Sequence, residues 1–127
     1  MAAFLLDTDV LIDISRGNSA AADFVDALPG DLFIGRVSAM ELIVGARNKR
    51  DQKVIENFVA LYEIKELSGT IGREAHQRLK LYSKAHGLTM ADALIAATAI
   101  VNDLVLVSKN EKHFRPIKDL RFSKANY

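Results

Sequence analysis

Short apolar runs typical of buried strands alternate along this chain with longer segments that have the apolar spacing of helices. The strand-like runs are Ala3–Leu6, 32–37, 63–67 and 104–107, with a candidate edge strand at 120–122. Helical segments between strands are the pattern of parallel strands joined by crossover helices. The sequence therefore predicts an α/β fold: a three-layer α/β/α sandwich with a central, mostly parallel sheet of four to five strands.

Polar residues that favour helix N-termini mark where the predicted helices begin. A short helical turn is expected at 10–15, and Gly87 is expected to end the longest helix. The segment Met90–Val101 is apolar nearly all round, so we expect it to be buried on several sides. The residues predicted to cap or open the other helices are Ser19, Ser38, Asp51, Ser68 and Thr89.

Length and composition limit the class of protein. A chain of 127 residues is expected to form a single domain over residues 1–127 and is long enough to bury a core. No apolar run reaches the roughly 18 residues of a membrane-spanning helix, and the apolar start lacks the features of a secretion signal. With no cysteine there is no disulfide, thiol catalysis or zinc–thiolate site. We expect a cytoplasmic protein with no membrane partner.

Charge is distributed unevenly although the net charge is only +1. Residues 1–35 contain six acidic residues and one basic residue, whereas residues 67–127 contain ten Lys or Arg and five acidic residues. This asymmetry fits an acidic pocket beside a surface that tolerates a polyanion. It fits two solvated faces equally well, so charge alone does not decide between them.

Four polar side chains lie near the ends of the predicted strands. Asp7 directly follows the first strand, and Glu41 lies just past the second. Asp92 lies in the first turn of the helix before the fourth strand, and Asn110 follows that strand. Because ligands bind beyond the carboxyl ends of parallel strands, we expect these side chains to converge on one rim of the sheet.

Each acid also has a purely structural explanation. Ser38 and Glu41 have capping-box spacing, as do Thr89 and Asp92, so that each acid can bond back to the backbone N–H of the cap. Asp7 can begin an Asx-turn. The same residues therefore predict either local caps and turns or one shared polar site.

The surroundings of Asp92 favour the shared site. A carboxylate on a helix that is buried on several sides needs strong compensation. If Asp7 lies about 5 Å away, the repulsion is about 3 kcal/mol at an effective dielectric of about 20. Mg²⁺ and Mn²⁺ prefer hard oxygen ligands and would offset this repulsion. The acids therefore predict a divalent-metal site.

Four blocks of the sequence surround the candidate site residues. They are 5–13 (LLDTDVLID), 38–42 (SAMEL), 91–99 (ADALIAATA) and the closing block from 105–110 (VLVSKN) to Phe114. These blocks resemble those of PIN-domain ribonucleases, and the block around Asp92 is the most specific. In length, block order and spacing the chain is most similar to the VapC-type toxins of bacterial and archaeal toxin–antitoxin pairs.

The resemblance implies an activity and a set of partners. It implies that Asp7, Glu41 and Asp92 hold Mg²⁺, with Mn²⁺ as a substitute, in a metal-dependent endoribonuclease. Hydrolysis would leave a 5′-phosphate and a 3′-hydroxyl, with Glu41 or Asp9 orienting or deprotonating the water. The implied partners are an RNA substrate, a VapB-type antitoxin, operator DNA only through that antitoxin, and a second copy of the chain in a homodimer.

The closing block departs from the family pattern. Family members often have a further acid at the positions occupied here by Asn110 and His113. Asn110 can offer a carbonyl oxygen but no charge, and Glu111 is an alternative, so whether the site takes one metal ion or two stays open. Ser108 is a candidate to hydrogen-bond a carboxylate or phosphate. Candidates to bind the RNA backbone are Arg73, Arg78, Lys80, Lys84, Lys109, Lys112 and Arg115.

Other functions fit the sequence less well. Asp7 and Asp9 after a strand resemble the start of haloacid-dehalogenase-type phosphatases, but residues 108–111 lack the later acid pair of that family. A receiver domain would need an aspartate at the end of the third strand, where Ser68 follows instead. A catalytically weak binding module, whose acidic pocket accepts an arginine from a partner, stays open as the alternative.

Overall fold

Within residues 2–127, which the computed structural model describes, five strands form one parallel sheet in the order β3-β2-β1-β4-β5. Helices cover both faces of this sheet, so the predicted α/β/α sandwich is confirmed. The strands are β1 (Ala3–Leu6), β2 (Asp31–Gly35), β3 (Glu63–Lys65), β4 (Val105–Ser108) and β5 (Phe122–Lys124).

The helices follow the strands in the alternation that the sequence predicts. In the same part of the chain, no helix is both long enough and apolar enough to cross a membrane. The helices are α1 (Thr8–Ser15), α2 (Ser19–Asp26), α3 (Arg36–Val44), α4 (Lys49–Val59), α5 (Gly69–His86), α6 (Met90–Val101) and α7 (Glu111–Phe114).

Alternate side chains of β1 and β4 point to opposite faces of the sheet, and each face has its own core. Leu5 and Leu106 belong to the core that contains the buried residues of α5 and α6. Leu6 and Val107 belong to the core that contains buried residues of α1, α2 and α3, whereas Val37 of α3 belongs to the first core. Because both faces are covered, β1 and β4 are apolar at every position up to Val107, and the last residue of β4 is a polar serine.

The boundary between β2 and α3 differs from the prediction. The strand predicted at 32–37 ends at Gly35, and α3 begins at Arg36 without a side-chain cap. Ser38 is therefore not an N-cap but lies inside the helix. Val37 has a strand-like side chain, yet it packs into the core from the first turn of α3, so burial outweighs its local preference.

Other boundaries moved by a few residues. The N-caps of α2 and α4 are Asn18 and Asn48, each one to three residues before the predicted Ser19 and Asp51, and both asparagine side chains accept a backbone N–H. The third and fourth strands end at Lys65 and Ser108 instead of at 67 and 107, and the edge strand lies at Phe122–Lys124. The predicted caps Ser68 and Thr89 are confirmed, and Gly87 ends α5 at a φ of 71°. The short helix α7 was not predicted.

Candidate active site at the carboxyl ends of the strands

Asp7 lies where β1 ends beside β4. Its backbone N–H donates to Val107 O at 2.9 Å, which continues the parallel ladder by one residue. The Ser108 hydroxyl donates to Asp7 Oδ2 at 2.6 Å, and the Thr8 N–H donates to Asp7 Oδ1 at 2.8 Å. Asp7 is only 5% exposed and Ser108 is fully buried. The register of the two strands therefore places a hydrogen-bonded carboxylate in the interior of the protein.

Asp9 brings a second carboxylate to the same place. Its Oδ2 lies 3.3 Å from the Ser108 hydroxyl and accepts the Lys109 N–H at 3.0 Å. Its Oδ1 accepts the Val10 N–H at 2.7 Å. Both oxygens are thus already occupied by protein donors.

The environment of these two acids disfavours their charged forms. Burial, reinforced by the nearby charge of Asp9, raises the pKa of Asp7 from its ordinary value of 3.8 to about 7. The hydrogen bonds from Ser108 and Thr8 oppose this rise, and the charge of Asp92 adds to it. Burial also raises the pKa of Asp9, against the backbone donors of Lys109 and Val10. A cation at this place would stabilise both carboxylates.

Asp92 lies in the first turn of α6, as predicted. Its backbone N–H donates to the Thr89 hydroxyl at 3.2 Å, which is half of the predicted capping box. Its carboxylate bonds to a side chain instead of to the cap, since Asp92 Oδ2 lies 2.8 Å from Nδ1 of His113. The carboxylate therefore contacts the closing block.

Glu41 lies in the middle of α3 and caps no helix, so the capping explanation of this residue is wrong. The hydroxyl of Thr8 donates to Glu41 Oε1 at 2.6 Å and lies 2.9 Å from the hydroxyl of the buried Ser38. These contacts form because α3 begins earlier than predicted, which turns Ser38 and Glu41 toward the first turn of α1. Sequence reasoning missed the role of Thr8, which no spacing rule indicates.

Asn110 is the N-cap of α7. Its side-chain oxygen accepts the His113 N–H at 3.3 Å, and its own backbone N–H donates to the Ser108 hydroxyl at 2.9 Å. Glu111 instead forms a salt bridge with Arg115 at 2.7 Å. Of the candidates in the closing block, Asn110 and His113 therefore contact the site residues, and Glu111 is engaged elsewhere.

Hydrogen bonds link the four predicted site residues through their neighbours. Asp7 connects to Asp92 through Ser108, Asn110 and His113, and Glu41 connects to Thr8, which follows Asp7 in the chain. Within residues 2–127, however, no three acidic or histidine side chains lie close enough together to hold a metal ion. The structure thus brings these residues into one region, and their roles as metal ligands stay predictions.

Three of the seven basic candidates are already paired with acids. Arg78 contacts Glu74 and Asp119, Lys109 contacts Asp13 at 2.5 Å, and Arg115 contacts Glu111. Lys109 Nζ also lies 5.7 Å from the ring centre of Tyr127. Contact between these side chains and a phosphate backbone would require exchange of protein partners.

A groove runs from Glu41 between α1, α3 and α4. Its volume is about 580 Å³. Apolar side chains such as Leu42, Ile55 and Phe58 line it, together with Arg16 and Arg47. The groove therefore offers an apolar surface with both basic and acidic side chains, and it reaches the candidate site at Glu41.

Comparisons with known proteins agree with this architecture. A family model described as "PIN domain" matches residues 4–120. Ribonuclease VapC10 of Mycobacterium tuberculosis is 35% identical over 120 residues, which are 92% of this chain and 90% of that protein. Ribonuclease VapC1 of Methanocaldococcus jannaschii is 31% identical over 117 residues, 91% of this chain and 81% of that protein.

Two solved structures show the same fold over nearly the whole chain. The DNA-bound VapBC from Salmonella typhimurium superposes with a TM-score of 0.85 at 25% identity, over 99% of this chain and all of that chain. A toxin–antitoxin complex from Klebsiella pneumoniae gives a TM-score of 0.78 at 28% identity, over 94% of this chain and 95% of that chain.

Proposed function

Because this chain belongs to the PIN-domain family, we propose that it is a VapC-type endoribonuclease toxin that hydrolyses RNA with Mg²⁺ at the site around Asp7, Glu41 and Asp92. The family resemblance predicted from the motifs is confirmed. The proposal takes residues 1–127 as a single PIN domain that acts in the cytoplasm.

The observation that carries the proposal is the destabilised carboxylate of Asp7. An acid whose pKa burial raises to about 7 sits at the carboxyl ends of the central strands, beside Asp9 and near enough to Asp92 to sense its charge. Asp7 is also the N-cap of α1, but a cap does not need to be buried beside a second acid, and a buried acid with a raised pKa is typical of a functional site. The donors are all hard carboxylate oxygens, which fit Mg²⁺ or Mn²⁺. Asp7 and Asp92 would hold the ion. Because Glu41 does not form one group with both of them within residues 2–127, it would bind the ion through water.

A bound ion would lower the pKa of a coordinated water and neutralise charge on the phosphate. The residues of the chain would orient the reaction. Ser108 and the Thr8 N–H hold Asp7 in one orientation. Both oxygens of Asp9 accept protein N–H groups. Glu41 is exposed, and among residues 2–127 it accepts one hydrogen bond, from Thr8 to Oε1. This difference favours Glu41 over Asp9 as the group that orients the water or accepts its proton.

The reaction itself is hydrolysis of a phosphodiester. The water oxygen forms a bond to phosphorus, the bond from phosphorus to the 3′-oxygen breaks, and that oxygen takes up a proton. The products are a 5′-phosphate and a 3′-hydroxyl.

The partners follow from the same family. The similar solved complexes are toxin–antitoxin and VapBC assemblies, so we propose a VapB-type antitoxin as the protein partner of this chain. Its inhibitory segment would bind the groove between α1, α3 and α4, which leads to Glu41. Operator DNA would be bound only through the antitoxin, and the toxin would be a homodimer.

The alternative is a binding module without useful catalysis. The buried carboxylates of Asp7 and Asp9 would then accept the guanidinium of a partner's arginine, which would neutralise them as a metal ion would. The two functions differ in their need for Mg²⁺ and in RNA cleavage.

A cleavage assay tests the proposal. Purified protein is incubated with total cellular RNA and Mg²⁺, with and without EDTA, and the ends of the products are mapped. We expect 5′-phosphate ends that disappear with EDTA, and a loss on the order of 100-fold or more in Asp7→Asn and Asp92→Asn. Asp103→Asn is the matched control because Asp103 is exposed and lies outside this network. Full cleavage by a folded Asp7→Asn protein would overturn the proposal, and no cleavage by the wild type would favour the binding module.

A further inference from the structure

We propose that His113 is a positioning residue for Asp92, which it holds by one carboxylate oxygen so that the other stays available to the divalent cation. This inference rests on the proposed ribonuclease function and deepens it. It concerns a histidine at a position where members of the family often have a further acid.

The contact between the two side chains is short and partly protected from water. His113 Nδ1 lies 2.8 Å from Asp92 Oδ2, and the side chains are 26% and 19% exposed. In the part of the chain that the structure describes, Asp92 Oδ1 receives no hydrogen bond. One oxygen of Asp92 is therefore engaged and the other is not.

The neighbouring groups determine which atom donates. An ionised carboxylate can only accept hydrogen bonds, so the form of His113 that bonds to Asp92 is the one with a proton on Nδ1. The amide nitrogen of Asn110 lies 3.1 Å from the same Nδ1 but cannot accept a proton. Asp92 is thus the acceptor for His113.

The backbone fixes His113 on both sides. Its own N–H donates to Asn110 Oδ1, and the Asn110 N–H donates to the Ser108 hydroxyl, which donates to Asp7. On the other side, Phe114 is fully buried, with its ring centre 6.2 Å from that of Phe122. The backbone of His113 is therefore held at the end of β4. Through its Nδ1, the imidazole orients the Asp92 carboxylate on α6.

A carboxylate that is already held in one orientation loses less conformational entropy when it binds an ion. Outer partners that orient metal ligands are typically worth about 10–100-fold in metal affinity or activity. His113 contacts the carboxylate and not the reacting groups, so its removal should act mainly on metal affinity. At saturating metal, most of the cleavage rate should return.

The experiment compares His113→Ala with His113→Gln in the full chain, with His76→Ala as the control. His76 is an exposed histidine on α5. Mn²⁺ affinity is measured by titration followed by electron paramagnetic resonance, without RNA. Cleavage is measured against Mg²⁺ concentration, and thermal unfolding reports folding. We expect His113→Ala to weaken Mn²⁺ binding about 10–100-fold and to raise the half-saturating Mg²⁺ similarly. Glutamine, which can donate to Asp92, should restore most of the affinity, and His76→Ala should match the wild type.

Each outcome decides the matter. Wild-type Mn²⁺ affinity in His113→Ala, with a wild type that cleaves RNA, overturns this inference and leaves the proposed function intact. An equal loss in the alanine and glutamine variants also overturns it, because then the donated hydrogen bond is not what matters. A wild type that neither binds Mn²⁺ nor cleaves RNA overturns both proposals. If His113→Ala does not fold, His113→Phe replaces it, since phenylalanine keeps the ring volume without a donor.

Discussion

Asp103 precedes β4 at the amino end of the sheet, whereas Asp7 follows β1 at its carboxyl end. The Asp103 side chain is 93% exposed, and Arg121 donates to it at 2.8 Å. Asp7 is buried, has two donors, and lies beside another acid that raises its pKa. The two aspartates therefore lie at opposite ends of neighbouring strands and in opposite electrostatic environments.

This difference separates the part of the sheet that stabilises the fold from the end that contains a destabilising charge. Between the two ends, side chains such as Leu5 and Leu106 are fully buried and stabilise the sheet. At the carboxyl end the ionised form of Asp7 opposes folding, and either protonation or a ligand of positive charge would relieve this cost. Stability comes from the middle of the strands, and the candidate chemistry lies at the end that weakens the fold.

Shortening a buried side chain in the middle of β4 should have the largest effect on stability. We expect Leu106→Ala to lower the free energy of unfolding by about 2–5 kcal/mol, because it leaves a cavity in a fully buried position. Urea denaturation measures the change. Leu81→Ala on α5, where Leu81 is exposed, is the control and should change little. A loss as small as that of the control would show that the strand interior does not carry the stability.

Neutralising the buried acid should change stability in the opposite direction. Asp7→Asn removes a charge that burial disfavours, so we expect the metal-free variant to be more stable than the wild type at pH 8. Since the pKa rises from 3.8 to about 7, the gain has an upper limit of about 4 kcal/mol. Unfolding in urea with EDTA measures it. Destabilisation by this substitution would mean that the ionised carboxylate stabilises the fold.

The pH dependence gives a second view of the same acid. Because the pKa of Asp7 is higher in the folded than in the unfolded protein, the folded state binds the proton more tightly. Its contribution should therefore be least favourable above about pH 7 and should improve as the pH falls toward 4. Asp9, whose pKa is also raised, acts in the same direction. Denaturation from pH 8 to pH 5 should show this slope in the wild type and a weaker one in Asp7→Asn, and equal slopes would contradict the assignment.

The exposed aspartate should give the smallest effect. Asp103→Asn removes a surface ion pair worth about 0–1 kcal/mol. Asparagine also tolerates the positive φ of 55° at this position. We expect unfolding and RNA cleavage close to those of the wild type. A large loss of stability would remove the contrast between the two ends of the sheet.

The sequence predicted the class of fold and most strand positions because burial on both faces leaves apolar runs that need no knowledge of contacts. It was less successful at the end of β2, where Val37 favours a strand locally but lies in α3. That boundary also affected the role predicted for Glu41, because the later start predicted for α3 made Ser38 and Glu41 a capping pair. A local rule failed there because helix packing, and not propensity, determined where the strand stopped.

By itself, the sequence determined that strands alternate with helices, that Asp7 directly follows the first strand, and that Asp92 lies at the start of a buried helix. These features depend on residues a few positions apart. Only the tertiary structure decided that Ser108 donates to Asp7 across 101 residues, that Thr8 contacts Glu41 and that His113 contacts Asp92. Such hydrogen bonds require side chains from different elements to meet within about 3 Å, and strand register and helix packing determine whether they do.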